Sequence, residues 1–117
     1  MTTTSEVLNR AADLIEERGW ATGVTGWRVG GRLCLEGGII AAIGGATAAD
    51  QPLAWACPAY AAVGDYLGRP ALSVCGDREL WKWNDRPERT ASEVVEVLRA
   101  CAVIEASRER ETAEVSS

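Results

Sequence analysis

A helix-start signal that occurs once near each end of the chain constrains the fold most strongly. Thr3 lies three residues before Glu6, and Thr90 lies three residues before Glu93. This spacing is typical of a capping box, in which the Thr hydroxyl and the Glu carboxylate bond to free backbone N–H groups of the first helical turn. Apolar residues recur at helical intervals after each box, so we predict an amphipathic helix at each end of the chain.

The apolar stripes and the residues after them set the limits of both helices. We predict the first helix over Thr3–Arg18, because Gly19 follows as a cap residue. The stripe of the last helix stops at Ile104, and the residues beyond it are polar throughout. We therefore predict a single globular domain over residues 1–104, with residues 105–117 forming a polar helical extension or a disordered tail.

The segment RLCLEGGIIAAIGG, residues 32–45, is ambiguous on periodicity alone. A short all-apolar run is compatible with a buried strand or a buried helix, and two adjacent glycines lower helix propensity. Gly30 and Gly31 could also close a β-hairpin between residues 25–29 and residues 32–35.

The remaining part of the chain adds one clear element. Pro58 is suited to the first turn of a helix that would end at Gly68. Residues 71–83 are interpreted as extended and irregular. The predicted fold is therefore α+β and mostly α, with about four helices, a short β-hairpin or irregular extended segments, and a single compact domain.

Charge and hydropathy argue against several classes of function. The net charge is −5 and the basic residues are scattered among acidic ones, whereas a nucleic-acid-binding protein usually shows a basic stripe. The longest apolar stretch, residues 39–43, is far shorter than the roughly 20 residues of a membrane span. The first residues, MTTTSEV, do not resemble a secretory signal. We expect a cytoplasmic protein with reduced cysteines that binds neither nucleic acid nor membranes.

The usual catalytic and metal-binding patterns are missing as well. The chain contains no His, which removes the common dyads that activate Cys, Ser or Thr nucleophiles. The four cysteines are too widely spaced for the paired pattern of a structural zinc site. The glycines of residues 32–45 match neither a phosphate-binding loop nor a dinucleotide fingerprint. We therefore predict no cofactor, no metal and no catalytic residue.

Three motifs in order along the chain carry a resemblance. They are Gly-Trp at residues 19–20, Cys-Leu-Glu-Gly at residues 34–37, and Trp-Asn-Asp at residues 83–85 before the Thr90 cap. Over roughly residues 7–103 the chain resembles a family of small domains of unknown function from actinobacteria and their phages. The resemblance implies a mostly helical α+β fold, a helix at Leu35–Ile43 and no particular activity.

The residues of these motifs form our candidate pocket or hub. If the three motifs meet in space, small Cys and Gly residues would let Trp rings pack closely, and Asn and Asp side chains would bond to loop N–H groups and to an indole N–H. Such a hub would be structural if buried, and would form an aromatic-walled pocket with a carboxylate if open. Its predicted members are Trp20, Cys34, Glu36, Trp83, Asn84 and Asp85.

Two functional hypotheses follow. The first is a small non-enzymatic protein-interaction module, such as a phage or prophage modulator of a host protein, because catalytic patterns are missing and the chain has five Trp residues. The alternative is a small-molecule-binding or enzymatic domain that uses a pocket of Cys34, Glu36, Asn84 and Asp85. A homo-oligomer formed through the final helix is a further prediction.

Overall fold

The computed structural model describes residues 3–22, 31–44, 57–71 and 78–116. These residues are mostly helical and form five helices. In chain order the helices are α1 Thr4–Arg18, α2 Leu35–Ile43, α3 Pro58–Tyr66, α4 Leu80–Asn84 and α5 Ala91–Ser116.

The capping box predicted for α1 is confirmed. The Thr3 hydroxyl accepts a hydrogen bond from the Glu6 backbone N–H at 3.2 Å, and the Glu6 carboxylate accepts one from the Thr3 N–H at 3.4 Å. At the other end, Gly19 has φ 94° and ψ 157°, a conformation open almost only to glycine. The chain therefore leaves α1 in an extended direction and not through a left-handed cap.

The helices α1 and α5 form the central antiparallel pair. Their facing side chains, among them Leu8, Ile15, Val94 and Leu98, are almost completely buried. Arg99 of α5 crosses to α1 and donates hydrogen bonds to three polar residues there, Asn9, Asp13 and Glu16. These bonds raise the pKa of Arg99, the Asp13 carboxylate contributing most.

The pairing of α1 with α5 extends past residue 104. Glu109, on the polar part of α5, accepts hydrogen bonds from the Ser5 backbone N–H at 3.0 Å and from the Ser5 hydroxyl at 2.6 Å. Ser5 lies in the first turn of α1, where backbone N–H groups have no partner within the helix. A carboxylate is favoured at this position because the helix dipole is positive there.

Helix α2 packs across α1 at a glycine. The predicted helix at Leu35–Ile43 is confirmed with these bounds. A Cβ atom at Gly38 would come within 3.5 Å of the Ala11 backbone oxygen and closer still to the Ile15 side chain. The glycine therefore allows the two helices to approach more closely than any side chain would permit.

Two predictions of extended structure fall partly on residues that the structure does not describe. The first arm of the β-hairpin, residues 25–29, lies outside the described residues, and the hairpin is not confirmed. Within its second arm, Leu33 forms a single parallel bridge with Trp20, and Leu35 begins α2. Of the segment predicted to be extended and irregular, residues 71–83, residues 72–77 lie outside the described residues. Its end forms α4, because tertiary hydrogen bonds hold those residues in a helical turn.

Candidate functional site

Asn84, the last residue of α4, is the centre of the candidate site. Its side chain is 0% exposed, and its amide makes four hydrogen bonds. The oxygen accepts from the Trp20 indole N–H at 2.7 Å and from the Leu35 backbone N–H at 3.0 Å. The nitrogen donates to the Ala21 carbonyl at 3.0 Å and to the Asp85 carboxylate at 2.9 Å. One buried amide thus joins α4 to the start of α2 and to the segment after α1.

Cys34 lies beside this amide and begins α2. Its side chain is 2% exposed, and its sulfur accepts a hydrogen bond from the Gly37 backbone N–H at 3.2 Å. The thiol therefore occupies the position of an N-cap side chain, which is usually Ser, Thr, Asp or Asn. A buried thiol in this position contributes to packing and capping, and it does not face solvent as a nucleophile must.

Glu36 follows in the first turn of α2 and is 6% exposed. Its carboxylate accepts hydrogen bonds from the Tyr60 hydroxyl at 3.2 Å and from the Trp81 backbone N–H at 2.9 Å. The Tyr60 oxygen in turn accepts from the Leu80 backbone N–H at 3.4 Å. A buried carboxylate needs such partners, because desolvating an unpaired charge is costly. The partners here belong to α3 and to the first turn of α4.

These bonds make up a buried polar network, defined by Trp20, Glu36, Tyr60, Asn84 and Asp85. Each hydrogen bond described above that holds α4 has a side chain of this network as one of its two partners. A helix of five residues is far too short to be stable alone in water. The chain also enters α4 through Glu79 with φ 48° and ψ 49°, a left-handed conformation that costs a non-glycine residue about 1 kcal/mol. Tertiary bonds therefore hold α4 in place.

The structure brings most of the predicted site residues together. Trp20, Asn84 and Asp85 are joined by hydrogen bonds, and Cys34 adjoins them through Leu35. Glu36 is connected to them through α4, because its carboxylate accepts a hydrogen bond from the Trp81 backbone N–H.

Trp83 lies outside the buried polar network. It packs against the core, with the Arg89 guanidinium 3.7 Å from the centre of its ring, and its carbonyl accepts from Arg89 Nε at 3.1 Å. Arg89 is fixed in turn by Glu93 in the first turn of α5. Trp83 therefore anchors the connection between α4 and α5.

Two participants were not predicted as site residues. The first is Tyr60, which lies in the helix predicted to begin at Pro58, and nothing in the sequence of that helix indicates that its hydroxyl binds a buried carboxylate. The second is Trp81, which is 46% exposed although its backbone N–H is held by Glu36. The nearby Lys82 ammonium lies 5.4 Å from the centre of its ring, and Lys82 also pairs with Glu79.

Three open grooves of the described residues lie away from the network's carboxylates. A groove of about 440 Å³ lies between the end of α1 and the start of α5. Of the candidate site residues it includes Trp20 alone. The other residues that line this groove are Ile15, Glu16, Gly19, Ala91, Ser92, Val95 and Glu96.

Cys101 is a second buried thiol, on α5 and outside the network. Burial raises the pKa of the Cys101 thiol to about 11, with a smaller contribution from Glu105, so this thiol is not reactive near neutral pH. In the described ranges, no three His, Cys, Asp or Glu side chains come together in a way that would hold a metal ion. No helix in the same ranges combines the length and apolar character of a membrane span.

Comparison with known proteins gives one match. Neither the curated proteins nor the solved structures include a match to this chain. A family model described as a family of unknown function, DUF6197, matches residues 1–103. The match includes α1 to α4, the whole buried polar network and the first half of α5. The chain belongs to this family of unknown function, DUF6197.

Proposed function

We propose that the protein is a non-enzymatic interaction module that presents Trp81 to a partner protein. The observation that carries this proposal is the contrast within α4. The backbone N–H groups of Leu80 and Trp81 and the side chain of Asn84 are held by buried bonds, while the Trp81 indole is 46% exposed.

Such an indole is suited to binding a protein. Trp is enriched among the residues that dominate interface energy, since it buries a large area with few rotatable bonds. A fixed backbone reduces the entropy that is lost when the side chain is ordered on binding. Trp81 therefore combines a large apolar contact with a position that is already defined in the free protein.

The alternative, a small-molecule or enzymatic site built from Cys34, Glu36, Asn84 and Asp85, receives less support. The first three side chains are between 0% and 6% exposed. All four take part in hydrogen bonds that position α2 or α4. A substrate would have to displace these bonds to reach the groups.

The identity of the partner follows only from the sequence. On the resemblance to proteins of actinobacteria and their phages, we expect a host protein in the cytoplasm. Self-association through α5 is a second proposal, and it concerns a surface on another helix from Trp81.

Affinity capture with matched variants tests the proposal. The wild-type chain, Trp81→Ala and Tyr66→Ala would each be immobilised and exposed to an actinobacterial lysate. Tyr66 is a suitable control because it is an aromatic residue of similar exposure, 48%, on α3. We expect a protein that is retained by the wild type and by Tyr66→Ala but lost with Trp81→Ala.

A second measurement uses the purified partner. Trp81 should be accessible to acrylamide quenching in the free chain and protected in the complex, and Trp81→Ala should remove that difference. Equal retention by all three chains, or no protection on binding, would contradict the proposal.

A further inference from the structure

One side of the helix α5 lies opposite the residues that the helix buries. Its inner side chains, including Val94, Leu98 and Cys101, are buried against the rest of the protein. On the opposite side, positions three or four apart fall on one face, because an α-helix has 3.6 residues per turn. We define this outer face of α5 by Glu96, Ala100, Val103, Ser107 and Arg110.

Val103 is the apolar centre of the outer face. Its side chain is 69% exposed, compared with 48% for Tyr66 and 46% for Trp81, and the adjacent Ile104 is 40% exposed. Ala100 and Ser107 lie one turn to either side, and both are small. Another helix could therefore approach closely over Val103 without displacing a large side chain.

The charges on the outer face are arranged symmetrically about Val103. Glu96 lies seven residues before it and Arg110 seven residues after it, so each is about 10.5 Å along the axis. Both side chains are exposed, and within the described residues neither forms an ion pair or a hydrogen bond. Other arginines of α5 do have partners, since Arg99 binds α1 and Arg108 binds Glu105.

This arrangement is complementary to itself in one orientation only. In an antiparallel pair with Val103 on the two-fold axis, Glu96 of each copy faces Arg110 of the other. In a parallel, in-register pair, Glu96 would face Glu96 and Arg110 would face Arg110, which is unfavourable. A two-fold axis uses the same patch on both copies, as most homodimers do.

We propose that a second copy of the chain docks on the outer face of α5 in antiparallel orientation, with Val103 at the two-fold axis and two reciprocal pairs of Glu96 with Arg110. This deepens the self-association proposed above and does not depend on Trp81. One apolar contact and two exposed ion pairs give a weak dimer, with a dissociation constant on the order of 100 µM, weakened further by salt.

Charge reversal in the full chain tests the proposal by sedimentation equilibrium across protein concentrations from well below to well above that value. Glu96→Arg places Arg against Arg twice, and Arg110→Glu places Glu against Glu twice. We expect each single variant to dimerise at least tenfold more weakly than the wild type. An equimolar mixture of the two variants should dimerise again as a heterodimer, and the double variant should recover as a homodimer.

Two matched controls carry the same charge changes on the exposed surface of α1. Glu17→Arg and Arg10→Glu should leave the association constant unchanged. All four positions are exposed, so circular dichroism should show retained helices. Three results would each overturn the proposal: a wild-type monomer at every concentration, a dimer that neither reversal weakens, or a mixture that fails to recover. Binding of a partner protein at Trp81 is measured in a separate experiment. Its outcome bears on the proposed function and not on this dimer.

Discussion

Gly38 lies so close to Ile15 that a Cβ atom added to it would be 2.8 Å from Cδ1 and 3.1 Å from Cγ1 of that side chain. Both residues are buried where α2 crosses α1. The first distance is shorter than carbon atoms in contact allow, so a side chain at position 38 requires Ile15 to move within a closely packed core.

Gly38→Ala should therefore destabilise the protein by about 1–2 kcal/mol, because overpacking outweighs the roughly 1 kcal/mol gain in helix propensity. Ile15→Val removes the Cδ1 atom and alone should cost about 1 kcal/mol. The double variant should cost less than the sum of the two, measured by urea unfolding. Strict additivity would show that the two positions do not contact each other in this way.

Asn84→Asp tests the buried amide with almost no change in shape. The substitution replaces a nitrogen that donates to the Ala21 carbonyl and the Asp85 carboxylate with an oxygen that cannot donate when ionised. We expect a loss of roughly 3 kcal/mol at pH 7, from two lost bonds and the repulsion between oxygens. Asp85→Asn keeps the accepting oxygen and should cost less than about 1 kcal/mol.

The Asn84→Asp loss should depend on pH in a defined direction. Burial among oxygens favours the protonated acid, so the folded-state pKa of the new carboxyl should exceed its unfolded value near 3.9. The penalty is then small below the unfolded pKa and grows as pH rises through the folded pKa. A penalty that is equal at pH 4 and pH 7 would contradict the placement of the amide.

Cys101 should contribute a distinct loss of stability at high pH. Its pKa is raised from 9.0 to about 11 in the folded protein, mainly by burial. The neutral thiol is therefore favoured in the folded state, and this contribution is present below the unfolded pKa and lost as pH rises from about 9 to 11. Cys101→Ala should be less stable than the wild type at pH 7.5, and the difference should shrink by pH 10.5.

Urea unfolding with a reducing agent at both pH values measures this difference. Other groups that titrate in this range are common to both proteins and cancel in the comparison. A difference between wild type and variant that stays constant with pH would contradict the assignment to Cys101.

Glu109→Ala should destabilise the protein by about 1–2 kcal/mol, since it removes two hydrogen bonds to Ser5 in the first turn of α1. Glu111→Ala is the matched control, being an exposed Glu of the same helix, and should be within about 0.5 kcal/mol of the wild type. Unfolding in urea compares the two. Equal effects would show that the Glu109 carboxylate does not cap α1 in solution.

The ends of the fold were predictable because local signals and tertiary structure agree there. Thr3 and Glu6 form both bonds that their spacing implies. At the second box Thr90 accepts from the Glu93 N–H at 3.2 Å, whereas the Glu93 carboxylate accepts from Arg89 at 2.8 Å. The helix over Leu35–Ile43 followed from family resemblance, because its periodicity is compatible with a strand as well.

The features that could not be predicted from the sequence depend on contacts between residues distant along the chain. Helix α4 has no length or periodicity to indicate it, and its helical turn is held by Tyr60, Glu36 and their bonds to its backbone. Trp81 and Trp83 are two residues apart, and only the orientation of α4 decides which of them is exposed. Gly30 and Gly31 suggest a tight turn, but the first arm of that hairpin, residues 25–29, lies outside the described residues, and Leu33 of the second arm forms a bridge with Trp20.

The bond between Ser5 and Glu109 joins residues 104 positions apart, and this affects how the chain folds during synthesis. The first helix leaves the ribosome long before α5, the partner that buries its apolar face, has been made. Until then Leu8 and Ile15 have no covering surface from α5 and remain open to chaperones and to other nascent chains. Completion of the native pair must therefore wait until translation has passed residue 109.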